Sequence, residues 1–88
     1  MEPSTFILEF HAHLPPEKIH SFALAVGTAG ASSNWLSKTR LELTCVKRSH
    51  LQHVGYIIYS TGQPDLCNVV GVSGEAKAHA SAYKRSSV

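Results

Sequence analysis

In two segments of the chain, residues 4–12 and 38–48, apolar residues recur at every second position. They are Phe6, Leu8 and Phe10 in the first segment and Leu41, Leu43 and Cys45 in the second. Because successive side chains of a strand point to opposite faces, this period of two predicts half-buried β-strands. A sheet with one apolar face needs a second layer to cover it. The alternation therefore predicts an open sheet with helices packed against one face.

The segment after the first strand has helical features. Pro15 and Pro16 end the strand, because proline lacks the backbone N–H and restricts the residue before it. Proline is tolerated in the first turn of a helix, and an acidic residue there, Glu17, complements the helix dipole. The apolar residues that follow, Ile19, Phe22, Ala23 and Val26, recur at helical spacing. We predict a helix from Pro16 to residues 27–30, and then a loop before Trp35 and Leu36, which are expected to anchor on the core.

The second half of the chain is expected to add two strands. Residues 54–60 are apolar, β-branched or aromatic nearly throughout, which is typical of a central strand covered on both faces. Residues 66–72 are expected to return as a hairpin across a turn at 61–65. Four alternate alanines favour a helix over residues 74–85 by propensity, although their period of two leaves a strand open.

These elements define the fold class. The order strand–helix–strand–strand–strand, with an optional last helix, predicts an α+β two-layer sandwich. About four strands form an open mixed or antiparallel sheet with one or two helices on one face. The order resembles a truncated ferredoxin-like sandwich, an analogy of fold that implies no activity. The 88 residues are expected to form one domain, with residues 84–88 as a flexible tail.

A binding surface is predicted on the sheet face opposite the helices. Eight Lys and Arg against six Asp and Glu give a formal net charge of +2, which is less than a duplex-binding domain carries. The polar side of the strand at 38–48 nevertheless carries several cations, and a tyrosine of the neighbouring strand must join them. The predicted binding residues are Lys38, Arg40, Arg48, Tyr56 and Tyr59. Arginine and tyrosine on a sheet suit single-stranded nucleic acid and equally a protein partner.

Histidines and cysteines are the other candidate site residues. His11 and His13 would share one face of a strand and are weak candidates for a metal pair, since zinc needs three or four ligands. Cys45 and Cys67 are too far apart in sequence for a metal-binding pair, and we expect both to be small buried hydrophobes. A disulfide would require them to face each other on neighbouring strands. We therefore predict no metal and no cofactor.

The function class follows from what the sequence contains. There is no Gly-x-Ser-x-Gly motif, and the single aspartate, Asp65, lies in a turn, so an enzyme is less expected than a binding protein. We expect a small non-catalytic protein–protein interaction module, as a homodimer or as a subunit, accessory or inhibitory protein of a larger assembly. The alternative is single-stranded nucleic-acid binding through the basic, tyrosine-bearing face, and the third is a metal-binding or enzymatic protein using the histidines. An acidic N-terminus and the lack of an apolar run of about 20 residues predict an intracellular protein without a signal peptide or membrane span.

Overall fold

The computed structural model describes residues 2–78 and has the element order β-α-β-β-α-β. The elements are β1 (Ser4–Phe10), α1 (Pro16–Thr28), β2 (Ser32–Trp35), β3 (Arg40–Cys45), α2 (Arg48–Ile57), a π-helical turn (Ile58–Gly62) and β4 (Cys67–Ser73). The predicted α+β sandwich is confirmed. The predicted tail at residues 84–88, and most of the predicted helix at 74–85, lie outside the described residues.

The four strands form one sheet in the order β2-β3-β1-β4, and each neighbouring pair is antiparallel. β1 is central, with Phe6 opposite Leu43 of β3 and Val72 of β4. The chain thus returns from α1 to the far edge of the sheet, forms the β2–β3 hairpin, and crosses back through α2 to β4. This is the split β-α-β arrangement.

The core lies between the sheet and the helices. The apolar positions predicted on β1 and β3 are all at most 2% exposed, which confirms the alternation. The helices cover them with Phe22, Val26, Leu51, Val54 and Ile58. Phe10 and Phe22 meet edge to face with ring centroids 5.9 Å apart, a favourable aromatic geometry that ties β1 to α1.

The strand predicted at residues 54–60 is wrong, because these residues are helical. Their buried side chains, Val54 and Ile58, follow Leu51 at helical spacing and form one inner stripe. The opposite side carries Tyr56, which is 59% exposed. The β-branched and aromatic composition of this segment favours a strand. Only one of its sides is covered, however, and its buried residues recur at helical spacing, so burial of this stripe stabilises the helix. The predicted hairpin between 54–60 and 66–72 is therefore also wrong, and β4 pairs with β1 instead.

The β2–β3 hairpin also differs from the prediction. The expected loop before Trp35 contains the short edge strand β2, and the strand expected over 38–48 spans only Arg40–Cys45. The Leu36 N–H donates to the Arg40 carbonyl (2.9 Å) and closes the hairpin. Ser37 Oγ accepts the backbone N–H groups of Thr39 and Arg40 at 3.2 and 3.1 Å, so the turn satisfies its own donors.

Candidate functional site

The two predicted tyrosines do not lie on the sheet. Tyr56 is on the outer side of α2, and Tyr59 lies in the π-helical turn with its ring edge-on to Phe6 (centroids 6.2 Å apart). Burial raises the pKa of Tyr59, which fits a ring packed on the core. Placing either tyrosine beside the cations of β3 is therefore wrong, because their segment belongs to the helical layer.

The predicted cations are also separated. Lys38 is in the β2–β3 turn and Arg40 is on the open sheet face, where its Nε donates to Glu9 at 2.8 Å. Arg48 begins α2, and its guanidinium lies 3.1 Å from Glu75. Hydrogen bonds from Thr39 and Arg40 hold the pKa of Glu9 below its ordinary value. Both arginines are thus paired with carboxylates rather than grouped into one basic surface.

The open face of the sheet, opposite the helices, is polar and aliphatic. Its members, assigned from the strand register, include Thr5, Ile7, Glu9, Ser32, Asn34, Arg40, Glu42, Thr44, Asn68, Gly71 and Ser73. The aromatic residues of the four described strands, Phe6, Phe10 and Trp35, point to the helical side. The described strands therefore offer no stacking platform for bases on this face.

His11 and His13 do lie together, just beyond the end of β1. Their rings are stacked with centroids 5.7 Å apart and an interplanar angle of 12°. His11 Nε2 lies 2.6 Å from the Pro64 carbonyl oxygen, which can only accept, so this nitrogen is the donor. Within residues 2–78 no group of three or more His, Cys, Asp or Glu side chains is placed to hold a metal ion.

Cys45 and Cys67 are both reduced and buried. They lie on β3 and β4, the two strands that flank β1, opposite Ser4 and Phe10 respectively. Opposite ends of a seven-residue strand are about 20 Å apart, far beyond the reach of a disulfide. Burial raises the pKa of Cys67 to about 12.

A cleft, which we call the Trp35 cleft, lies between the first turns of α1 and the β2–β3 turn. Its volume is about 480 Å³, and it is lined by Pro16, Ile19, His20, Trp35, Leu36, Ser37 and Lys38. Trp35 lies opposite Leu41, on the helical side of the sheet. One part of its indole packs on Phe10, with centroids 5.9 Å apart, yet the residue remains 41% exposed. The indole in this cleft therefore contacts Phe10 on one side and remains accessible to solvent on the other.

Polar and aliphatic side chains complete the Trp35 cleft. Leu36 is 47% exposed, and His20 and Lys38 are exposed beside it. Within the described residues Lys38 takes part in no ion pair. Sequence reasoning assigned Trp35 and Leu36 to the core. The signal that it missed was two large apolar residues between a stretch of small polar residues and a lysine.

A second cavity, of about 440 Å³, lies between α1 and the segment from the end of α2 to Leu66. Its floor includes Phe22, Ile57 and Leu66, which are buried or half-buried. Its walls, by contrast, include Glu17 and Lys18. The Trp35 cleft is the better binding site of the two, because it offers large apolar side chains that are still exposed to solvent.

Comparisons of this chain with protein-family models, curated proteins and solved structures found no match. None of the helices within residues 2–78 is long and apolar enough to span a bilayer.

Proposed function

We propose that this chain is a small protein–protein interaction module that binds its partner through the Trp35 cleft. The observation that carries the proposal is the partly exposed indole of Trp35, packed against Phe10 in a cleft. Tryptophan is enriched among the residues that dominate binding energy at interfaces, where it fills or forms a desolvated pocket. A preformed aromatic site also loses little conformational entropy on binding.

The lining of the cleft specifies the chemistry of the partner. Trp35 and Leu36 suit an aliphatic or aromatic side chain, and Lys38 at the rim suits a carboxylate. A protein segment with an apolar residue next to an acidic one meets both requirements, with the charge adding orientation and association rate more than affinity.

Single-stranded nucleic acid, the other candidate partner, has less support. Arg40 and Arg48 are paired with Glu9 and Glu75, and bases would have no aromatic platform on the open face of the described strands. Binding driven by phosphates requires unpaired cations grouped along a path.

The test is a peptide-display selection on the immobilised protein, followed by titration of the labelled selected peptides with the wild type and the variants, measured by fluorescence anisotropy. In the wild type the intrinsic fluorescence of Trp35 is recorded as well. This residue is the only tryptophan of the chain, so a change in its emission reports binding at the cleft. We expect the selected peptides to combine an apolar with an acidic residue. Trp35→Ala should weaken their binding about tenfold or more, and Lys38→Glu should weaken it less.

Tyr56→Ala is the matched control, because Tyr56 is an aromatic residue with 59% exposure on another surface. Its binding should equal that of the wild type. Selected peptides that bind the Trp35→Ala and Tyr56→Ala variants equally well would show that the cleft is not the docking site. Tight, salt-sensitive binding of a labelled oligonucleotide would instead favour the nucleic-acid alternative.

A further inference from the structure

The edge strand β2 has backbone groups that no described strand pairs. The Phe10 N–H donates to the Thr39 carbonyl, and the Leu36 N–H donates to the Arg40 carbonyl. In an antiparallel ladder the bonded pairs alternate, so the even-numbered residues of β3 bond to β2 and its odd-numbered residues bond to β1. It follows that Ser33 and Trp35 point their N–H and C=O groups outward from the sheet.

The other edge strand, β4, has two features that hinder pairing with a further strand. Gln63 Oε1 accepts the backbone N–H of Val69 at 2.9 Å. The register between β1 and β4 also shifts at Ile7 and Leu8, so that Val70 is an extra residue in a bulge. Side-chain capping and bulges both hinder pairing with another strand.

Within the described residues, β2 has neither a bulge nor a side chain that caps an outward N–H. Edge strands usually avoid pairing by carrying charged residues or proline. The four residues of β2, Ser-Ser-Asn-Trp, include neither. All four are exposed, and no described strand pairs with the outward edge of β2.

We propose that the occupant of this edge is a second copy of the same chain, paired antiparallel through β2 about a two-fold axis at Asn34. With Asn34 opposite its own copy, Ser33 of one protomer lies opposite Trp35 of the other. These two pairs are the ones whose backbone groups point outward, so the dimer forms four backbone hydrogen bonds and joins the sheets into one of eight strands. A two-fold pairing of this kind is self-complementary and closed.

The side chains fit this register. On the helical side each Trp35 meets the small Ser33 of the other protomer, which leaves space for the indole. On the open face the two Asn34 amides face each other and can exchange hydrogen bonds. Shifting the pairing by one residue would leave the outward backbone groups unmatched.

The same two-fold axis places the second copy beside the Trp35 cleft. α1 begins beside Trp35 in the cleft and ends just before β2 begins, so the two elements run in opposite directions. In the dimer the C-terminal half of the partner's α1 is therefore carried toward this cleft. That half bears Leu24, which is 72% exposed but lies on the side of α1 opposite Phe22 and Val26. The residue that each protomer places beside the Trp35 of the other is therefore Ser33. The inference rests on the proposed function only in using the same edge of the molecule.

The dimensions of the molecule limit the strength of such a dimer. The molecule measures 33 × 30 × 18 Å, so a side spanned by the two shorter lengths projects about 500 Å². Complete contact of two such sides would bury about 1,000 Å², which is the lower limit for a specific interface. We therefore expect reversible dimerisation rather than a permanent assembly.

The decisive experiment is site-specific cross-linking in a glutathione redox buffer. Directly opposed residues of a non-bonded antiparallel pair have Cα atoms about 4.5 Å apart, within disulfide range. Asn34→Cys should therefore form a disulfide-linked dimer on a non-reducing gel, and the native buried thiols of Cys45 and Cys67 should not interfere. Asn68→Cys is the matched control, at an exposed position of the β4 edge. It should remain monomeric, because the bulge and the Gln63 side chain hinder pairing there.

Light scattering with size-exclusion chromatography tests the backbone pairing itself. Ser33→Pro removes an outward N–H without removing a hydrogen bond between β2 and β3. It should raise the dimer dissociation constant about tenfold or more, with an unchanged circular dichroism spectrum. A wild-type protein that is monomeric at high micromolar concentration overturns the inference. So does a dimer that Ser33→Pro leaves intact and that Asn34→Cys does not cross-link. Either result leaves the proposed function standing if peptides still bind the cleft in a Trp35-dependent way.

Discussion

At the scale of single residues, burial decides the chemistry of the two cysteines. Cys67 faces the helical layer from β4, and the cost of desolvating a thiolate there raises its pKa from 9.0 to about 12. Cys45 shifts in the same direction for the same reason. The alternating pattern predicted which side chains would be buried, Cys45 among them. It could not predict that Arg40 would be paired with Glu9, because that contact depends on which strands are neighbours.

The raised cysteine pKa predicts the pH dependence of stability. A group whose folded pKa lies above its unfolded value contributes its full stability below the unfolded value and loses it as the pH rises toward the folded one. The free energy of unfolding should therefore fall progressively from about pH 9 toward pH 12, measured by urea denaturation at several pH values. Cys67→Ala should make this fall shallower. A stability that stays constant up to pH 11 would mean that Cys67 is accessible to solvent in the folded protein.

At the scale of elements, the sequence predicted β1, α1, β3 and β4 and missed α2 and β2. The predicted elements have a clear period or clear end signals, such as the two prolines before α1. In α2 the composition of residues 54–60 favours a strand, whereas the spacing of Leu51, Val54 and Ile58 favours a helix. The short strand β2 has no periodic apolar pattern, so only its hairpin with β3 defines it.

Phe22 is where α1 meets both the sheet and the π-helical turn that follows α2. Its ring packs against Phe10 of β1, and Gly62 lies so close that an added Cβ would be 2.8 Å from the same ring. Phe22→Ala should lower the free energy of unfolding by about 3–5 kcal/mol, a large part of the total for so small a domain. Leu24→Ala, on the exposed side of the same helix, is the control and should change it by about 0.5 kcal/mol or less. A loss under about 1 kcal/mol for Phe22→Ala would show that the helix–sheet contact is not central to folding.

At the scale of the whole molecule, charge is spread over separate surfaces. Arg40 lies on the open sheet face and Arg48 at the start of α2, and each contacts a carboxylate. The local excess of cations in residues 38–48 is real in the sequence, but the fold divides it among a turn, a strand and a helix. Which surface each cation would reach could not be predicted, because the prediction treated residues 38–48 as one strand.

This distribution gives a prediction that separates the two leading functions. Changing Arg40 and Arg48 together to glutamate reverses two charges on exposed side chains and should leave the fold intact, as judged by circular dichroism. Peptides that bind the Trp35 cleft should bind this double variant as they bind the wild type, because neither arginine lines the cleft. Binding of a labelled oligonucleotide, measured by fluorescence anisotropy over a salt series, should be weak in the wild type and should change little in the variant.

Under the alternative function, the wild type would bind tightly, and each lost phosphate contact would reduce the salt slope by about 0.7 for a single strand. Collapse of tight oligonucleotide binding in the double variant would therefore replace the protein partner with a nucleic acid. Loss of peptide binding without loss of fold would extend the docking surface from the cleft to the arginines.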